Sequence, residues 1–400
     1  MGEVLSITAK GSRMSRAVIL LFAVACGLSV ANIYFAQPIL DELSSEFNIG
    51  HSTIGIVITI SQSLYAAGLL LLVPLGDLLN QRQLIIGQMT LSTVALVIVG
   101  TASSAAALFA GLALVGLLAV VTQTIVAFAA DMADPVQRGR VVGMVTSGIV
   151  TGILLARTVS GLLTDLAGWR SIYLFSAALM LIMNISLFKM LPGTSRAPQS
   201  LTYLQLLKSV FSLYAQERIL RVRAVLALLI FADFSILWTS LVLPLSAPPI
   251  SLSHTAIGAF GLAGAAGALG AAHAGKLADR GSGQKMTGLA LSILIISWLL
   301  ISYAERSLFV LVIGIILLDF AVQAVHVTNQ SMILILRPEA RSRLTAAYMV
   351  FYSLGSAAGS ITSTQIYAHH GWAGVSLLGA SVSVLALLFW ALTRRAAASA

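Results

Sequence analysis

The residues of this 400-residue chain with the most chemistry to offer are the polar ones that interrupt long apolar runs. Asp319, Gln323, His326 and Gln330 stand at i, i+4, i+7 and i+11 of one run. That spacing puts them on one helical face, with Asn329 flanking the stripe. A charged side chain at the centre of a hydrocarbon layer costs about 2.5–3.5 kcal/mol on insertion scales, so one retained there points to function. Asp319 and His326, separated by about 10 Å of helical rise, suit a proton relay bridged by Gln323 or water. His326 alone reads equally as part of a structural polar seam. Asp233 and Arg157 lie at depth in two other runs. Arg157 needs a counter-charge or carbonyl partners there, and either holds an anionic group of a solute or neutralises a buried carboxylate. Asn32, Tyr34 and Gln37 ahead of Pro38, together with Gln123, suit hydrogen bonding to a small polar solute, on which Trp238, Phe234 and Tyr352 can stack.

The elements that must position these groups follow from composition. Apolar residues make up 58% of the chain and charged residues 9%, against roughly 25% charged in soluble domains. With mean hydropathy +0.97, the chain is an all-α integral membrane protein. A helical span needs roughly 20 apolar residues, and twelve candidates satisfy this: 17–38, 52–75, 84–101, 105–130, 141–164, 171–190, 222–245, 255–277, 285–303, 307–335, 344–367 and 372–393. The longest connection, 191–221, is rich in proline and basic residues and divides the chain into 1–190 and 222–400. Within it, Leu201–Leu220 has the pattern of an amphipathic surface helix.

The net charge of +9 raises nucleic acid as a partner, but its distribution points to an anionic membrane face instead. With the N-terminus inside, Arg16, Arg82, Arg138, Arg140, the basic linker, Lys276, Arg280, Lys285, Arg337, Arg341, Arg343 and Arg394 all fall on the inner side, while Arg170 and Arg306 are left outside. This predicts a multi-pass membrane protein with both termini cytoplasmic. The single cysteine, Cys26, permits no internal disulfide. Gly270–Lys276 resembles a phosphate-binding loop, but Leu277 occupies the magnesium-binding position and no strand precedes it. No cofactor, metal or nucleic acid is called for. No span carries a His-Glu-x-x-His set, and no loop is long enough for a signalling domain, which argues against an enzyme or a sensor.

The chain also repeats. Pro135-x-x-Arg138-x-Arg140 returns as Pro338-x-x-Arg341-x-Arg343, Gly168-Trp169 returns as Gly371-Trp372, and Asp77 returns as Asp279. Around Asp279, Gly275-Lys276-Leu277-Ala278-Asp279-Arg280 resembles the loop signature of the major facilitator superfamily. Pro74–Arg82 is a weaker copy, with Leu78 where arginine is usual and Asn80 where glycine is usual. The resemblance covers essentially the whole chain. It implies twelve helices in two six-helix bundles about a pseudo-two-fold axis, with a central cavity and alternating access by rocking. Seventh and tenth spans line that cavity in the family, so Asp233 and Asp319 would both face it.

The glycines of spans five (Gly143, Gly148, Gly152) and eight (Gly258, Gly261, Gly264, Gly267, Gly270) would let those helices slide across the interface. Asn32–Pro38 is similar to bacterial drug and metabolite exporters. The arginine usual in span four of proton-coupled exporters is missing, so its role moves to Arg157, and the proline-containing exporter signature of span five is also absent. The expectation is a monomeric proton-coupled antiporter exporting a small organic solute across a bacterial inner membrane, with uptake by symport as the alternative. Asp319 would carry the proton with His326 and Asp233 as helpers. Asn32, Tyr34, Gln37, Gln123, Arg157, Trp238, Gln323 and Asn329 would contact the solute. Crossed latches would gate the inner side: Asp279 with Arg138 and Arg140, and Asp77 with Arg341 and Arg343, flanked by Arg82 and Arg280.

Overall fold

A computed structural model describes residues 15–134, 137–191, 202–270, 283–337 and 340–394, except for the side chains of Asp77 and Ser342. Apolar segments in lipid must satisfy every backbone N–H and C=O internally, which makes helix the available solution here. The helices are α1 (Arg16–Tyr34), α2 (Leu40–Glu46), α3 (Ile56–Leu71), α4 (Leu75–Leu78), α5 (Gln81–Gly100), α6 (Ala105–Leu118), α7 (Val121–Met132), α8 (Arg138–Ala167) and α9 (Arg170–Met190). After the linker come α10 (Tyr203–Gln216), α11 (Arg218–Ser240), α12 (Val242–Ser246), α13 (His254–Gly270), α14 (Gly283–Ile301), α15 (Leu308–Leu334) and α16 (Arg341–Thr393). Each of the twelve expected spans contains a helix among its described residues. The fourth is divided between α6 and α7, and the last two are the arms of α16 on either side of Gly371.

The repeat seen in the sequence has a structural counterpart. Gly168 and Gly371 both adopt positive φ (78° and 59°), a conformation that a Cβ disfavours, and each turns the chain into the next helix. The tryptophan after each pins the corner: Trp169 donates to Glu46 at 2.5 Å, and Trp372 to the Ile301 carbonyl at 2.9 Å. A second correspondence lies in the packing. On α8, a Cβ at Gly148 or Gly152 would come within 2.0 Å of the Ala23 carbonyl oxygen or 2.2 Å of that of Gly27, both on α1. On α16, a Cβ at Gly355 or Gly359 would come within 2.1 Å of the Leu228 oxygen or 2.3 Å of the Ala232 oxygen, both on α11. Each bundle thus seats its fifth helix on its first through two glycines one turn apart. In lipid, where association rests on close contact, such pairs fix the approach of the backbones. Gly143, grouped with these by the sequence, faces open space.

Between the bundles, α8 packs on α13 and α3 on α16. Thr158 donates to the Gly258 carbonyl at 3.0 Å, and Thr59 to that of Ala357 at 2.9 Å. Fifth and eighth spans therefore do meet, at Gly161 and Gly258, where a Cβ would strike the backbone of His254 or Arg157.

The amphipathic segment of the linker is α10, opened by a capping box between Thr202 and Gln205. Its buried residues Leu206, Val210 and Leu213 lie against the protein rather than along a free surface. Tyr203 donates to the Leu71 carbonyl on α3 at 2.9 Å, and Tyr214 donates to the Ala347 carbonyl on α16. The end of the first span differs from expectation. The first span ends at Tyr34, and Gln37–Ile39 forms a separate 3-10 turn because Pro38 has no N–H to continue the helix. Arg223, near the start of the seventh span, is fully buried inside α11, donating to Thr287 and Asn329.

Candidate functional site

Arg157 is the centre of the best-defined polar site. It sits on α8 at 2% exposure, carried to the bundle interface by the glycine-assisted packing of α8 on α13. Its Nε donates to Gln37 Oε1 at 2.8 Å. Its guanidinium lies 3.9 Å from the ring centroid of Trp238, 5.2 Å from that of Phe234 and 5.3 Å from that of Tyr34. Trp238 and Phe234 belong to the opposite bundle, so the cation bridges the two. Tyr34 is further joined across the interface by a short hydrogen bond to Tyr352. No ion pair to Arg157 occurs among the described residues, and Nη2 is buried without an acceptor. An unsatisfied buried donor costs about 1–3 kcal/mol, and more when charged. Gln37, Pro38, Arg157, Trp238, Leu241, Val242 and Ile257 line a small cavity here.

Asp319 meets the edge of the same tryptophan. It is 3% exposed on α15 and accepts from Trp238 Nε1 at 3.2 Å. One indole therefore meets the cation with its face and the carboxyl with its edge. Gly264 on α13 leaves room for this carboxyl, since a Cβ there would lie 2.0 Å from Asp319 Oδ2. The sequence grouped Gly264 with the sliding glycines; its position level with Asp319 was the overlooked signal.

The remaining members of the polar stripe engage other groups. His326 bonds the Tyr348 hydroxyl at 3.0 Å, edge-on to Phe231, and Gln323 lies half-buried between it and Asp319. Asn329 accepts from Arg223 at 3.1 Å and donates to Tyr348 at 3.4 Å, in a second seam below the Arg157 site.

Asp233 requires a correction. It does not share the site of Asp319: its carboxyl is fully buried between α11, α14 and α16, accepting from Trp298 Nε1 at 2.6 Å and from Ser383. Gly379 clears space for that indole. Five residues separate Asp233 from Trp238, about 140° around the helix, so one faces its own bundle while the other faces the interface. Asn32 and Gln123 also point inward within the first bundle, Asn32 accepting from Ser176 at 2.6 Å and Gln123 bonding Tyr65.

Of the expected gates, Arg82 follows the Asn80 N-cap of α5 and donates to the Phe188 carbonyl at 2.6 Å, stacked on that ring. Arg138, Arg140 and Arg341 are exposed and Arg343 is half-buried. Asp279, Arg280 and the Asp77 side chain lie outside the described residues.

At the end of the molecule away from these arginines, a different tie joins the bundles. His254 opens α13, outside its apolar run. Its Nε2 lies 3.1 Å from Asp41 Oδ1, and its Nδ1 lies 3.1 Å from Asp165 Oδ1. Asp165 also accepts from the backbone N–H groups of His254 (3.2 Å) and Thr255 (2.7 Å), so a carboxylate of the first bundle caps a helix of the second. Only the imidazolium donates to both acids. Asp41, helped by Glu42 and Asp165 and opposed by partial burial, raises the His254 pKa from 6.5 to about 9. A raised folded-state pKa gives a contribution present in full below about 6.5 and lost as pH climbs through about 9. Thermal unfolding should therefore show wild type losing its margin over His254→Gln across that window. A pH-independent margin would exclude the charged tie.

The geometry, two helical bundles meeting at a buried polar site, can now be set beside known proteins. A family model described as the Major Facilitator Superfamily matches residues 19–304 and, in a second match, 223–400. The chain belongs to the Major Facilitator Superfamily. It is a multi-pass membrane transporter and not an enzyme. It is 47% identical over 384 residues to the uncharacterized transporter YgaY of Escherichia coli O157:H7, covering 96% of this chain and 97% of that one. It is 25% identical over 364 residues to the inner membrane transport protein YnfM of Escherichia coli K12, covering 90% and 86%. In fold it is similar to a bacterial homologue of the human lysosomal transporter Spinster, crystallised inward-facing and unoccupied, with a TM-score of 0.75, 15% identity and coverage of 96% and 98%.

Proposed function

We propose that this member of the superfamily is a proton-coupled secondary transporter of a small organic solute, working as a monomer in the bacterial inner membrane with both termini cytoplasmic. Residues 1–190 and 222–400 form its two moving bundles, and 191–221 joins them. The observation that carries the reading is the placement of Asp319. It is a buried carboxyl held by one neutral donor, an indole shared with a buried cation of the opposite bundle. A carboxyl at that junction changes its surroundings when the bundles rock, and a change of surroundings is what alternately favours uptake and release of a proton. The basic residues gathered at one end support the orientation, and the inner-membrane description of YnfM supports the location.

Export by antiport, expected from the first span, and uptake by symport differ in whether protonating Asp319 expels the solute or admits it. Proteoliposomes loaded with a pH-sensitive dye and challenged with a metabolite library test the coupling. Solute-evoked proton flux, abolished by a protonophore, is the expected result; solute flux with no proton movement would sink the reading.

A further inference from the structure

We infer that the solute is an organic anion, a carboxylate on a flat and largely apolar body, bound at Arg157 while Asp319 holds a proton. The anchor is the guanidinium. Gln37 takes the Nε–H, but Nη2 is buried with nothing to accept its protons. Three aromatic rings from both bundles surround the cation without consuming any N–H, because stacking uses its faces and leaves its edge. A carboxylate oxygen matches the unpaired Nη2 with a charge-assisted hydrogen bond. The same rings offer apolar surface to a flat body beside it. An organic cation is disfavoured, because Arg157 already occupies the cation-π position over Trp238. A neutral amide satisfies the donors but leaves the buried charge uncompensated.

Charge balance then sets the coupling. With Asp319 ionised, its charge compensates the guanidinium through the shared indole, and an arriving anion meets a like charge. With Asp319 protonated, the site carries one uncompensated positive charge, which the anion neutralises. Proton and anion therefore enter and leave together, one of each, which is the linkage of a symporter rather than the antiporter expected from the first span. The pairing rests on the proton-coupled reading; the anchor at Arg157 does not.

The test is thermal stabilisation of the purified full-length protein by a panel of aromatic carboxylates (benzoate, 4-hydroxybenzoate and indole-3-acetate) beside their amide and amine counterparts, at pH about 5.5 and about 7.5. At least one carboxylate should raise the melting temperature and bind at least tenfold tighter at the lower pH. Arg157→Gln should weaken it at least tenfold and Arg157→Lys less, each judged against its own unliganded melting temperature. Asp319→Asn should flatten the pH dependence. Stabilisation by amides or amines alone, by no carboxylate, or by carboxylates regardless of Arg157→Gln overturns the anion anchor. A pH dependence that survives Asp319→Asn overturns the paired proton, and the proton-carrier reading with it.

Discussion

Asp319→Asn should reduce solute accumulation driven by a pH gradient at least 100-fold, while exchange of labelled for unlabelled solute persists. Asparagine has the shape of the carboxyl it replaces. Its carbonyl can still accept from Trp238 Nε1, and it fits the same space against Gly264. What it cannot do is lose a proton, so the driven cycle stops while the undriven one can continue. The matched control is Asp233→Asn, at a carboxyl bonded to Trp298 and Ser383 within one bundle, which should leave driven accumulation within about twofold. Driven accumulation by Asp319→Asn, or its loss in Asp233→Asn but not Asp319→Asn, would mean the proton is carried elsewhere.

The second large effect is structural. Gly152→Leu should prevent recovery of folded, monodisperse protein or lower its melting temperature sharply, whereas Gly143→Leu on the same helix should not. At Gly152 an added Cβ would lie 2.2 Å from the Gly27 carbonyl oxygen and 2.6 Å from its Cα; at Gly143 nothing lies within 4 Å. Backbone atoms cannot rotate aside as a side chain can, so α1 and α8 must separate. Overpacking of this kind costs about 1–3 kcal/mol, and more where the backbone itself is struck. Size-exclusion profiles and melting curves of the two variants decide the matter: equal behaviour would show that the glycines of α8 are interchangeable.

The span plan and the repeat were legible in the sequence because each rests on a local property, either a run of apolar residues or a recurring motif. The Gly-Trp corners at Gly168 and Gly371 are good examples, since their recurrence in sequence matches a recurrence of backbone conformation. Arg157, Asp319, Gln37 and Trp238 were recognisable individually, as polar or aromatic groups at depth. Their assembly around one indole was not, because a helical pattern gives relative angles on one helix and leaves open how that helix is rotated against its neighbours. Asp233 shows the difference. Depth and the cavity-lining spans of the resembled family made it a partner for Asp319, yet rotation turns it toward Trp298. His254 was overlooked because it sits in a connection, where single polar residues carry no pattern; its importance comes from two acids supplied by distant parts of the chain.

The linker helix α10 holds a carbonyl of α3 with Tyr203 and a carbonyl of α16 with Tyr214. It therefore acts as a strut fastened to both bundles at the end where the basic residues gather. Any widening of that end has to stretch or release one of the two fastenings before the bundles can part further. Part of the segment that looks in sequence like slack between two halves, from Tyr203 to Tyr214, is a brace tied at both its ends.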